Sequence, residues 1–196
     1  MIKDKINQEL KSRFLQETKK TRETGKERGF LICIDEKDRL SATKSCEGKE
    51  CSIDLSSLKS QCNFKTQGEF HTHPFTADSV QYAEEKLGKR VSIEDAKNFI
   101  KDRANKKNVS LTEPSYRDLL GTIISKYTNR TLGTTCVSTD IEPDKVECWS
   151  TKNKITERDF DMAFDMAFIE LNYPGIDKGP LKWAKDLFDK EIIDLK

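Results

Sequence analysis

The stretch Gly68-Glu69-Phe70-His71-Thr72-His73-Pro74 constrains this chain more than any other. It holds both histidines of the protein, two positions apart, between Phe70 and Phe75. A short run flanked by apolar residues reads as a β-strand, in which side chains alternate and positions i and i+2 share a face. His71 and His73 then point one way, and Phe70 and Thr72 point the other way, into a core. Any fold must therefore bury one side of this strand and keep the other available for chemistry. Two imidazoles side by side on a rigid strand suit one transition metal, most often zinc. A histidine pair at a strand end with no ligand is the plainer alternative. Glu69 shares the parity of the histidines; it can orient an imidazole, but an exposed strand residue is the expected role.

Composition bounds the rest. A chain of 196 residues can bury a proper core as one domain with appendages. Its 35 basic and 34 acidic residues leave a net charge of +1, without the basic excess that nucleic-acid binding needs. No apolar run is long enough to span a bilayer, and Met1-Ile2-Lys3-Asp4 does not open a signal peptide. A cytoplasmic protein with no nucleic-acid or membrane partner is expected.

Six cysteines need an account. In an ordinary cytosol they stay reduced, whereas a hyperthermophile cytoplasm tolerates disulfides. Cys136 and Cys148 flank a hairpin turning near Glu142-Pro143-Asp144 and can face each other across two strands. Cys33, Cys46, Cys51 and Cys62 lack C-x-x-C spacing, so a structural zinc among them is the less favoured reading. A cysteine nucleophile would have no base if both histidines hold metal.

In chain order, Ile2, Ile6, Leu10 and Phe14 recur every four residues and predict an amphipathic helix that stops at Gly25. Gly29 to Ile34 reads as a buried strand, paired with Arg39 to Lys44. Residues 46 to 62 read as a loop with a turn of helix around Leu55 and Leu58. After the histidine strand, Ala77 to Leu87 and Ser92 to Asn105 are predicted helices. Pro114 to Leu120 opens another, with Leu119, Leu120, Ile123, Ile124 and Tyr127 on its apolar face. Strands at Gly133 to Thr139 and Lys145 to Ser150 follow, then helices at Thr156 to Leu171 and Leu181 to Leu195. Phe160, Phe164 and Phe168, with Met162 and Met166, form stripes expected to pack into the core. Trp149 and Trp183 are expected packing anchors.

A helix, a glutamate at the head of a strand, HxHP at a strand end, and P-S-x-x-D opening a helix that leads to a strand together resemble the JAMM (MPN+) metalloprotease family. The resemblance covers roughly residues 1 to 150. It implies a zinc held by His71, His73 and Asp118, with Glu27 as general acid/base and Ser115 as the oxyanion helper. It also implies hydrolysis of isopeptide or peptide bonds beside ubiquitin-like modifiers or other protein conjugates; a monomer or homodimer is expected. A second S-x-x-D, Ser92 to Asp95, lies closer to the histidines. Both sequences can be helix N-caps. Ser115/Asp118 is preferred because a proline precedes it and an apolar helix follows and runs into a strand.

The chemistry needs these residue types. Two neutral imidazoles and one carboxylate leave Zn²⁺ a residual charge and one open position, enough to bring a bound water toward pKa ~7. A carboxylate can shuttle the proton, and a hydroxyl can stabilise the oxyanion. On its own, Glu27 between Lys26 and Arg28 would read as a solvated charge. The expected fold is α/β: a curved mixed sheet flanked by helices, MPN/JAB-like with cytidine-deaminase-like layering. Residues 75–112 would form a helical insertion, and residues 151–196 a C-terminal helical pair packed on the catalytic domain. A non-catalytic MPN-type scaffold is the alternative function.

Overall fold

Asn7 sets the start of the first helix. Its side chain accepts a hydrogen bond from the Leu10 N–H at 2.8 Å, capping α1 (Gln8–Thr24). Gly25, in the left-handed conformation at φ 67°, ends it. The helix therefore begins later than the four-residue spacing implied: Ile2 and Ile6 flank a 3-10 turn, Lys3–Lys5, yet join the same core. These elements belong to a computed structural model that describes residues 2–48, 55–63, 65–152, 154–172 and 181–196.

The central strand β1 (Arg28–Ile34) pairs antiparallel with β2 (Leu40–Ala42) and β3 (Cys46–Glu47) on one side. On its other side runs β4 (Lys65–His73), also antiparallel. β4 is parallel to β5 (Thr134–Thr139), and a parallel neighbour requires a long crossover. That crossover holds α2 (Ala77–Leu87), α3 (Ile93–Lys107) and α4 (Tyr116–Tyr127). β6 (Lys145–Thr151) follows antiparallel, then α5 (Glu157–Asn172), α6 (Leu181–Asp186) and β7 (Phe188–Asp194). The result is an α/β protein with a mixed seven-stranded sheet in the order β2-β1-β4-β5-β6-β7, β3 also pairing with β1.

Each face of the sheet has its own core. Under α1, Phe14, Phe30 and Phe70 form a fully buried aromatic triad with ring centroids 4.7–5.7 Å apart. Each such ring contributes about 1.5–3 kcal/mol by burial. On the other face, Leu119, Leu120 and Ile123 of α4 pack with Trp149, Ala163, Ala184 and Phe188. Cys136 and Cys148, directly paired across β5 and β6, form a disulfide. Cys33 bonds to Cys62, which removes two of the four cysteines from any zinc site among them; Cys46 is a free thiol. Cys51 lies outside the described residues.

The C-terminal pair of helices is corrected by the structure. After the short α6, residues expected to continue as helix form β7, which pairs with β6 along its whole length. Phe188, Glu191 and Ile193 are buried, and the available sheet edge overrides a charged, helix-favouring local sequence. The phenylalanine stripe is corrected as well. Ala163, Met166 and Ala167 carry the packing of α5, Phe160 stacks on Tyr127, and Phe164 and Phe168 are 55% and 60% exposed. Trp149 and Trp183 do sit in this second core.

The two helices expected between residues 75 and 112 are present as α2 and α3, closed against each other over the fully buried Ala83 and Ala96. The ion pair of Lys97 with Asp140, at 3.0 Å, ties α3 to the end of β5. The chain returning from α3 is pinned by the buried Glu147 carboxylate, which accepts from Ser110 Oγ at 2.6 Å and Trp149 Nε1 at 2.7 Å. No helix among the described residues is long and apolar enough to cross a membrane.

Candidate metal centre

Gly29 lies opposite His71 in the β1–β4 ladder. A Cβ there would stand 2.5 Å from the Phe70 carbonyl oxygen and 3.2 Å from His71 Cβ. The missing side chain lets the two strands close and leaves the His71 imidazole a clear path. Strand parity then sets Phe70 and Thr72 on the α1 side, both fully buried, and turns both histidines to the opposite face. His71 is buried, His73 is half-buried, and their Nε2 atoms are 3.2 Å apart.

Asp118 arrives from the first turn of α4. Ser115 is the N-cap of that helix and forms a complete capping box with Asp118. The Asp118 N–H donates to Ser115 Oγ at 3.3 Å, and the Ser115 N–H donates to Asp118 Oδ2 at 2.6 Å. The same carboxylate brings Oδ1 to 3.3 Å from His71 Nε2 and Oδ2 to 3.7 Å from His73 Nε2. Glu27, just ahead of β1, is 5% exposed and puts Oε1 3.9 Å from His73 Nε2. Its other oxygen, Oε2, is buried without a hydrogen-bond partner. One ligand atom from each of Glu27, His71 and His73 lies within 4.8 Å of the others, a grouping able to hold a metal ion.

The electrostatics are those of a site in which a proton sits among carboxylates. Burial alone would lower His71, but the charge and hydrogen bond of Asp118, with Glu69 and Glu27, raise it to about 9. Burial and then the His71 charge lower His73 to about 4. Burial raises the Glu27 carboxyl to about 7, against a smaller opposing pull from His71. Burial also pushes Asp118 upward, yet His71, His73 and the Ser115 bond outweigh it and hold that carboxyl far below the usual range.

The remaining expected residues divide. Ser115 is exposed, at the N-cap of α4. Asp95 instead accepts from Ser92 Oγ at 2.7 Å at the start of α3, and it is not among the groups acting on either histidine. Glu69 departs from the expected exposed residue. It is half-buried, its carboxyl is raised by burial, and it couples to His71, Asp118 and Lys59. Two contributors were given no role at the site from the sequence: Gly29, a glycine inside an apolar strand, and Thr72, which lies between the two histidines.

The donor set fits a small divalent cation. Ligands 2.0–2.1 Å from a tetrahedral zinc stand roughly 3.3 Å from one another. The two Nε2 atoms, 3.2 Å apart, have that spacing, and each faces a different oxygen of Asp118, Oδ1 at 3.3 Å from His71 and Oδ2 at 3.7 Å from His73. The Glu27 oxygen with no hydrogen-bond partner is a further buried acceptor beside this donor set. Comparison of the chain with protein-family models, with curated proteins and with solved structures finds no match.

Proposed function

We propose that this chain is a zinc-dependent hydrolase of JAMM type that cleaves isopeptide or peptide bonds in protein conjugates, including those of ubiquitin-like modifiers. One observation carries the reading. Glu27, His71, His73 and Asp118 converge from three separate elements, and Glu27 keeps a buried oxygen with no partner. A non-catalytic scaffold has no use for a carboxyl raised to about 7 beside two imidazoles.

In this reading His71, His73 and Asp118 hold the zinc. When bound, the metal supplies a Lewis acid that makes a water acidic enough to ionise near neutral pH. Glu27 takes the proton of the attacking water on its carboxylate and returns it to the leaving amine. A carboxyl near pKa 7 can act in both directions at neutral pH. Ser115 Oγ accepts from the Asp118 N–H in the helix cap and also bonds the Asp118 carboxylate, so its O–H would turn from that carboxylate to a developing oxyanion. Asp118 fixes the His71 ring by the same carboxylate that closes the cap.

The test is metal analysis of the purified protein together with Glu27→Gln. One zinc per chain is expected in both proteins, with kcat on a cleavable conjugate lowered about 10²–10⁴-fold in the variant. Absence of stoichiometric metal, or a variant as fast as wild type, would overturn the reading.

A further inference from the structure

We propose that Thr72 is a positioning residue for Glu27. Its hydroxyl, on the face of β4 turned away from the histidines, sets where the Glu27 carboxylate stands beside them. The inference rests on the hydrolase reading above and adds to that site a residue that never touches metal or substrate.

The β1–β4 ladder ends at the pair Gly29 and His71. The next rung, between Arg28 and Thr72, is made by a side chain. The Arg28 N–H donates to Thr72 Oγ1 at 2.9 Å, and the same hydroxyl lies 3.2 Å from the Arg28 carbonyl oxygen. Thr21 Oγ1, from the last turn of α1, is 2.5 Å away. A hydroxyl has one proton to give and two acceptor positions. One assignment serves every group: Thr21 donates to Thr72, Thr72 donates to the Arg28 carbonyl, and the Arg28 N–H completes the set. Thr21 and Thr72 are both fully buried, so neither can exchange these bonds for water.

Glu27 directly precedes this rung. On its other side its carbonyl accepts from the Gly48 N–H at 2.9 Å, so the backbone around the carboxylate is held between Gly48 and Thr72. The Arg28 side chain is fixed too, with Nε 2.7 Å from Glu17 Oε2 and Nη1 2.7 Å from Glu47 Oε2. Thr72 itself stays in the ladder with β5, opposite Ser138. Removing its hydroxyl therefore leaves the histidine strand seated, and the displacement falls on Arg28 and Glu27. The consequence is a separation of effects: the metal stays and the base moves.

The test compares Thr72→Val, which keeps the shape and loses the hydroxyl, with Thr72→Ser, which restores it. Both are made in the wild-type and Glu27→Gln backgrounds, and the probe is Co²⁺ with its visible absorption followed across pH. Thr72→Val is expected to bind Co²⁺ within about threefold of wild type while kcat falls about 10–100-fold at unchanged KM. Its pH-dependent absorption change should resemble that of Glu27→Gln, and the loss should vanish when Glu27 is already Gln. Thr72→Ser should recover the wild-type spectrum and rate. Should Thr72→Val fail to fold, Thr21→Val, which strips the donor and leaves β4 untouched, should shift the absorption the same way by less. Wild-type behaviour of Thr72→Val, or equal losses in both backgrounds, would sink the positioning role. Loss of Co²⁺ from folded Thr72→Val would make Thr72 a support of the ligands instead and overturn it equally. If wild type takes up no Co²⁺, or Glu27→Gln is as fast as wild type, the hydrolase reading itself fails and takes this inference with it.

Discussion

Asp118 Oδ1 lies 3.3 Å from His71 Nε2, while Oδ2 of the same carboxylate holds the Ser115 N–H at 2.6 Å. One side chain thus closes the cap of α4 and reaches the histidine pair, so the start of that helix and the geometry of the site are a single structural fact.

Asp118→Ala should therefore lose metal and loosen α4 together. Asp95→Ala should keep full metal stoichiometry and cost only a cap contact at α3, about 0.5–1 kcal/mol. Metal content and thermal unfolding of the two variants check this. Metal retained by Asp118→Ala and lost by Asp95→Ala would move the site to α3.

Gly29→Ala tests the close approach of β1 and β4. The added carbon meets backbone at the Phe70 carbonyl, 2.5 Å away, and His71 Cβ at 3.2 Å. Backbone can yield only by parting the strands, so a loss of about 1–3 kcal/mol is expected, with weakened metal affinity. Denaturant unfolding and metal titration would show it, and an unchanged affinity would mean that His71 is not held by this pair.

The metal-free protein should show a pH signature with a definite sign. His71 is held at about 9 against its ordinary value of 6.5, so the folded chain binds more protons than the unfolded one between those values. Its contribution is complete below pH 6.5 and is lost as pH rises through about 9. Glu27, raised from 4.5 to about 7, acts in the same sense over its lower window. His73, lowered from 6.5 to about 4, acts oppositely: its contribution is present above 6.5 and lost as pH falls through about 4. Metal must displace the His71 proton, so uptake at pH 7 should release about one proton. Calorimetry in buffers of different ionisation enthalpy measures that number, and a release of zero would contradict the proton placed on His71.

Excision of residues 77–107 with a short Gly-Ser bridge should leave metal bound and change which conjugates are cut. Among the described residues, the ion pair of Lys97 with Asp140 ties these helices to the sheet. Extending the cut through Ser110 and Thr112 should cost folding as well, because Glu147, fully buried, would lose two of its donors. Mass-spectrometric metal counts and unfolding curves distinguish the two deletions. Loss of metal from the folded shorter deletion would mean that the excised helices supply a ligand.

Much of this was legible in local sequence, and for a physical reason. Strand parity depends only on the chain itself, so His71 and His73 sharing a face opposite Phe70 and Thr72 could be read before any fold was known. The same holds for the amphipathic α1, the capping serines of α3 and α4, and Cys136 facing Cys148 across a hairpin. Each is settled within a few residues along the chain or across one turn.

What only tertiary structure decided are the meetings between distant segments. Which of two equivalent S-x-x-D caps approaches the histidines depends on the crossover that seats α4 on the sheet while α3 caps itself with Asp95. Residues 188–194 became β7 because β6 offered an open edge, which a sequence rich in Lys, Asp and Glu does not announce. Glu27 in isolation is one charge among neighbours. Burial against the histidines turns it into a raised carboxyl with one oxygen that has no hydrogen-bond partner. Desolvation and register arise from the packing of whole layers, and no stretch of sequence contains them.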